Sequence, residues 1–367
     1  MRVSEPYTIF LRQLSSGKSV YYYQFRDEFG RRSTPKSTGC VKMSDAKRYC
    51  QNLFNNGLLK AESSIKFGKF SEGFFDDNSD FMKWKKVNNS KITQSTITSY
   101  RKLLRMQILP YFENITLNRI EPLTVKQWIV WMLSQWSMKT SNNAQSVFNI
   151  IMRGAYEKGL ISSIPSSNLS FRTIDRKERI LITCEELNKI YHSSLWCSET
   201  HRMVFLLASI TGMRVGEICG LQKENVGANY LDVKHSYHIQ FGLGDTKTKT
   251  SRYVPIPDGL SLLDSSSDSK WVFPRGEKPI NPKAVYKNFC KICDCMGIDR
   301  KSRGITFHTL RNFFTSYMLG MNVPKAKVKA VIGHTDKDMT DWYTYWKPEM
   351  FPEVYEVQKE LYEKIKY

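Results

Sequence analysis

A chain of 367 residues exceeds what one hydrophobic core organises, so two or three domains are expected. Its 55 lysines and arginines against 35 aspartates and glutamates give a formal charge of +20, spread along the chain, which favours a polyanionic partner, nucleic acid first, over an isolated basic tail. MRVSEPYTIFLRQ has no apolar core of a secretory signal, and the longest apolar run, Val204–Ile210, is too short for a bilayer, so a cytoplasmic protein without membrane contact is expected.

In chain order, YTIFLRQL, SVYYYQF and RRSTPKSTG read as three short strands broken by SSGK and DEFG turns, and 44–58 as an amphipathic helix with Ala46, Cys50, Leu53 and Phe54 on one face. Residues 1–62 therefore form a small β-sheet plus helix module, and Arg26, Arg31, Arg32 and Lys36 on its hairpin are placed to enter a DNA groove. Residues 63–75 lack periodicity and read as a linker.

An all-helical domain is expected over 76–172. Tyr100, Leu103, Leu104 and Ile108 recur at helical spacing, Thr124 with Gln127 reads as a capping box, and Val147, Ile150, Ile151 and Ala155 mark a helix ended by Gly159. Trp84, Trp128, Trp131 and Trp136 are assigned to its core. Lys91, Arg101, Lys102 and Arg105 fall on polar faces suited to phosphate contact.

A charged second linker, 173–180, leads into a mixed α/β, mainly α, domain over 181–352. Thr183 and Glu186 form a capping box, and YLDVK, SYHIQF and SRYVPIP are strand-like. The eight cysteines are expected as reduced thiols; in KNFCKICDCMG, Cys290, Cys293 and Cys295 lack a second ligand pair at zinc spacing and read as buried or half-buried helix residues. Residues 353–367 form a helix whose stripe Val354, Val357, Leu361 and Ile365 is expected to dock on a neighbouring protomer.

Three stretches of this domain carry residues suited to phosphoryl chemistry. TGMRVGEICGL places Arg214 and Glu217 on one helix face, and FHTLRNFF does the same for His308 and Arg311, with Thr306 as the expected N-cap. VIGHTDKDMTDWYTYW holds His334 at a Gly-His step, with Tyr343 nine positions on and Tyr345 two further.

The TGxRxxE box, the HxLR box, the Gly-His step and a tyrosine nine residues later, in that order, resemble the tyrosine recombinases of the phage integrase family. The helical domain and the amino-terminal module suit the same resemblance, which spans nearly the whole chain. Trp342 before the tyrosine and TYWKPEMF after it are like the tails of some phage and prophage integrases. The resemblance implies that 1–62 binds arm-type DNA sites, that 76–172 is a SAM-like core-binding domain, and that 181–352 is catalytic.

It also implies that Arg214 and Arg311 hold the scissile phosphate, Tyr343 attacks it, Lys247 serves the leaving group, and His308 and His334 complete the pocket. Planar guanidinium forks match phosphate oxygens better than ammonium groups. A phenol with a pKa of about 10 needs a proton acceptor, for which His308 is suited. Lys249, two positions from Lys247, shares its strand face and leaves the choice between them open; Lys249 and Arg252 are grouped with the DNA contacts, and Glu217 is read as support.

Neither metal nor ATP is implied, because no carboxylate cluster suits magnesium and no Gly-rich loop suits a nucleotide. The implied partners are core and arm sites on double-stranded DNA, three further copies in a tetramer, and a DNA-bending or directionality factor, in a bacterial or phage-infected cell at the nucleoid. The readings to be separated from site-specific recombination are a type IB topoisomerase and a non-catalytic DNA-binding architectural protein.

Overall fold

The computed structural model describes residues 7–25, 32–55, 65–90, 92–173, 180–246, 251–262, 268–334 and 346–367. The chain divides into two compact units, Met1–Arg176 and Lys177–Tyr367.

The first unit opens with β1 (Tyr7–Gln13), β2 (Ser19–Phe25) and β3 (Lys36–Ser37), an antiparallel sheet in that order, followed by α1 (Met43–Asn55). Period-two alternation sends Tyr7, Tyr23 and Phe25 to one face, where they pack with Cys50 of α1. Burial pushes the Cys50 thiol up to about 11, so it behaves as a small apolar side chain. Phe54, expected on that face, is exposed instead.

The helices α2 (Phe67–Ser71), α3 (Asp80–Val87), α4 (Gln94–Leu103), α5 (Leu109–Phe112), α6 (Pro122–Gln135) and α7 (Met138–Glu157) surround a second core. Phe112, Trp128 and Phe148 meet there with ring centroids 4.8–5.3 Å apart. Between α4 and α5 the chain makes a π-helical turn at Leu104–Ile108, and the Trp128 indole donates to the Gln107 carbonyl at 3.0 Å, pairing a polar group inside the core.

Three further expectations fail in this unit. Phe67 and Phe75, placed in a linker, are fully buried; α2, which carries Phe67, has five residues, too few to show a helical period, and Phe75 follows it in a turn. Trp84, placed in the core, is 62% exposed. Thr124 does not cap α6, because Pro122 begins the helix two residues earlier, where its missing N–H costs nothing.

The second unit contains α8 (Cys184–Tyr191), α9 (Glu199–Thr211), α10 (Val215–Cys219), β4 (Tyr230–Val233), β5 (His235–His238), β6 (Gly242–Asp245), β7 (Arg252–Pro255), β8 (Pro274–Arg275), β9 (Lys278–Pro279), α11 (Pro282–Cys295), α12 (Arg300–Arg303), α13 (Thr309–Gly320), α14 (Lys325–Ile332) and α15 (Pro352–Lys366). β4 pairs with β7 and β5 with β6, all antiparallel; β6 falls where the sequence reads only as punctuation. Thr183 and Glu186 do form the capping box of α8, and Glu186 also holds Arg303 at 2.5 Å.

Helix α9 is the axis of this unit. Val204 through Thr211 are all buried, which is what a helix apolar all round requires. Helices α8, α10, α11, α13 and α15 pack on it. On α11, Cys293 is buried and its thiol pushed up to about 12, Cys290 is half-buried, and Cys295 is exposed, against expectation. The stripe of α15 is also placed differently from expectation. Val354, Leu361 and Ile365 are buried in this unit's own core, and the Asn188 side-chain amide donates to the Ile365 carbonyl at 3.1 Å.

Candidate functional site: a cationic cleft

The site begins where α9 stops. Gly212 ends the helix in the left-handed region, with φ +63°. A Cβ there would lie 2.6 Å from the Phe314 ring, so the turn requires glycine twice over. Two residues later, Arg214 stands at the N-cap of α10, and Glu217 reaches back to it. The Arg214 backbone N–H donates to Glu217 Oε2 at 3.0 Å and its guanidinium to Oε1 at 2.8 Å.

Helix α13 supplies the second arginine. Thr306 is not its cap; His308 occupies that position, and the Thr309 hydroxyl donates to the Thr306 carbonyl at 2.6 Å. Arg311, 5% exposed, donates from one guanidinium nitrogen to the Gly212 carbonyl at 3.0 Å and from the other to the Ile332 carbonyl. It thereby ties the end of α9 to the end of α14. Burial, with Arg214 and Arg252 close by, pushes the Arg311 guanidinium down to about 10.

Helix α14 ends at Gly333, φ +64°, and the His334 N–H returns to the Lys329 carbonyl at 3.0 Å. His334 is exposed at that turn, as is His308 at the start of α13.

Arg214, His308, Arg311 and His334 thus line one cleft of about 500 Å³, together with Asn312, Thr315, Ser316 and Ile332. The last four escaped the sequence reading. Asn312, Thr315 and Ser316 continue the His308 face at helical spacing, so the same periodicity that paired His308 with Arg311 also pointed to them.

Arg252, grouped with the DNA contacts, is not on the surface. Its side chain is 7% exposed and bonded to Glu217. Burial alone would raise the Glu217 carboxyl, but the charge and hydrogen bonds of Arg252, with those of Arg214, hold it below the ordinary carboxylate range. Two guanidinium groups therefore bond one carboxylate while a third, that of Arg311, lies close enough to feel all three, and the cluster keeps excess positive charge. A singly charged tetrahedral anion meets both the charge and the donor geometry of such a cleft.

The other predicted positions divide simply. Arg32, Lys36, Lys102 and Arg105 are exposed, and Arg101 is exposed but paired with Asp76 at 2.8 Å. Arg26, Arg31, Lys91, Lys247, Lys249, Tyr343 and Tyr345 lie outside the described residues.

Residues 181–349 match the model of the phage integrase family, and residues 79–133 match the phage integrase N-terminal SAM-like domain, which together span more than half of the chain. The chain belongs to the phage integrase family of tyrosine recombinases. It is 24% identical to the integrase of Escherichia phage HK022 over 53% of this chain and 54% of that protein. It is 31% identical to the tyrosine recombinase XerA of Thermococcus onnurineus over 44% of this chain and 57% of that protein. The matches thus span little more than half the length of these relatives.

A lambda integrase tetramer bound to a Holliday junction has the same fold, with a TM-score of 0.54 and 18% identity over 93% of this chain and 98% of that one. The family and the fold class read from the sequence are both borne out, as a three-stranded N-terminal sheet, a helical SAM-like domain and a mainly helical integrase domain with small sheets.

Proposed function

We propose that this integrase is a site-specific DNA recombinase that cuts and rejoins duplex DNA through a 3′-phosphotyrosyl intermediate and a Holliday junction, to integrate or excise a phage or other mobile element. The observation that supports this best is the convergence of Arg214, His308, Arg311 and His334, from three separate sequence stretches, on one cleft of a chain in this family. In this reading the two arginines and His334 bind the nonbridging oxygens of the scissile phosphate. The Tyr343 oxygen attacks phosphorus, its proton passes to His308, and the bond to the 5′ oxygen breaks as Lys247 supplies that oxygen with a proton.

Rejoining runs the same steps backward with the 5′ hydroxyl of another strand. The phosphotyrosine keeps the energy of the broken bond, so no ATP is consumed, and guanidinium groups supply the charge a metal ion would otherwise bring. The lambda integrase structure is a tetramer on a Holliday junction. By analogy four copies act on a core site inside the cell, residues 1–62 hold arm-type sites through groups such as Arg32 and Lys36, and a bending or directionality factor sets the outcome. Lys102 and Arg105 contact the core-site backbone.

A substrate nicked beside the cleavage site lets the short strand diffuse away and traps the covalent adduct. The wild-type chain should accumulate protein–DNA adduct, Tyr345→Phe should match it, and Tyr343→Phe should give none. An adduct formed by Tyr343→Phe, or none from wild type on its own site, would refute the proposal.

A further inference from the structure

Arg252 does not line the cleft, yet each of its three guanidinium nitrogens has an acceptor. Nε donates to the Val331 carbonyl at 2.7 Å, one terminal nitrogen to Glu217 Oε2 at 2.6 Å, and the other to Oε1 at 3.3 Å. Those two carboxylate oxygens are the ones that hold Arg214, by its backbone N–H and its guanidinium. Each oxygen of Glu217 is therefore shared between an arginine that lines the cleft and one that does not.

The other end of the contact is equally specific. The Val331 carbonyl that accepts from Arg252 adjoins the Ile332 carbonyl that accepts from Arg311. Two arginines so hold consecutive carbonyls at the negative end of α14, where its backbone needs donors. The Arg252 side chain also lies against the turn that presents His334. A Cβ on Gly333 would fall 3.0 Å from Arg252 Cδ and 3.1 Å from Nε.

We propose that Arg252 is a positioning residue for the cleavage reaction, setting Arg214 through Glu217 and His334 through the Val331 carbonyl and the Gly333 turn. This rests on the recombinase reading above. If Arg252 lost its fork, Glu217 would retain Arg214 as its main counterion and draw that guanidinium away from the phosphate, while the His334 turn would lose its brace. A lysine keeps the charge but reaches one acceptor where arginine spans three, so Arg252→Lys tests geometry apart from charge.

The experiment measures single-turnover adduct formation on the nicked substrate and equilibrium binding to the same DNA, for wild type, Arg252→Gln and Arg252→Lys. A parallel substrate carries a methylphosphonate at the scissile position, which has no charge for Arg214 or His334 to meet. Wild type must form adduct for the comparison to begin, and its failure to do so would count against the recombinase reading and not against this one.

The expected result is a cleavage rate lower by roughly 10- to 100-fold in both variants, the cost of misplacing a reacting group by about 1 Å, with binding within about twofold of wild type. On the methylphosphonate that deficit should shrink to under about threefold. Arg252→Lys also covers the case in which the glutamine variant does not fold. An equal deficit on both substrates would reduce Arg252 to a stability role, a loss confined to binding would make it a DNA contact, and a wild-type rate in Arg252→Lys would leave charge alone sufficient. Each of these overturns the proposal.

Discussion

Replacing Glu217 with glutamine changes the cluster by one charge and almost no volume. Glu217 is fully enclosed and accepts from the Arg214 N–H at 3.0 Å, from the Arg214 guanidinium at 2.8 Å, and from Arg252 at 2.6 and 3.3 Å. Glutamine offers one acceptor oxygen and turns the other position into a donor facing N–H groups. Arg252, with its side chain 7% exposed, and the buried Arg311 would then lie close together with no carboxylate to offset their charge.

Removing one partner of such a buried pair costs about 3–5 kcal/mol. Arg214, the most exposed of the three, adds less because water screens it. In a unit the size of Lys177–Tyr367, each kcal/mol moves the midpoint by about 2–4 °C, so Glu217→Gln should lower its unfolding temperature by roughly 6–20 °C. Calorimetry of the full chain reads this directly. The unit Met1–Arg176 contains none of these residues and serves as the internal reference. A fall of less than about 2 °C would mean that the carboxylate is not what neutralises the arginines.

The same group sets a pH dependence. Because the Glu217 carboxyl is held below its ordinary range when folded, its contribution is complete above the unfolded value of about 4.3 and is lost as pH falls through the lower folded value. The stability gap between wild type and Glu217→Gln should stay constant from neutral pH to about 5 and close below that; urea titrations at stepped pH would refute this if the gap closed above pH 6. Gly212→Ala combines a left-handed backbone with a Cβ placed 2.6 Å from Phe314, and should cost about 2–5 kcal/mol while depressing adduct formation through the Gly212–Arg311 bond. Stability within 1 kcal/mol of wild type would refute it. Leu361→Ala should cost about 2–5 kcal/mol at any protein concentration, because Leu361 is buried in the core of its own unit. A cost that appeared only at high concentration would return α15 to a neighbouring copy.

What the sequence discloses follows the reach of its local rules. Arg214 with Glu217, and His308 with Arg311, lie within one helical turn, so spacing alone brings each pair together. Arg252 is 35 residues from Glu217, and no periodicity connects β7 to α10, so a buried strut reads as a surface cation. Phe67 and Phe75 are hidden for the opposite reason, since the five-residue α2 is too short to display a period and the turn that carries Phe75 has none.

The α15 stripe shows a third limit, because an apolar stripe says that something is covered without saying what covers it. Gln358 holds the answer. It is buried within that stripe, a costly place for an amide, and its side-chain nitrogen donates to the Ile210 carbonyl at 3.0 Å. Ile210 lies in the last turn of α9, whose carbonyls have no helical partner beyond Gly212. Arg311 of α13 takes the Gly212 carbonyl, and Gln358 of α15 takes that of Ile210. The two groups that finish the buried axis of the unit therefore come from the helix that lines the cleft and from the last helix of the chain, so the end of α9 that leads to Arg214 is fixed partly by α15.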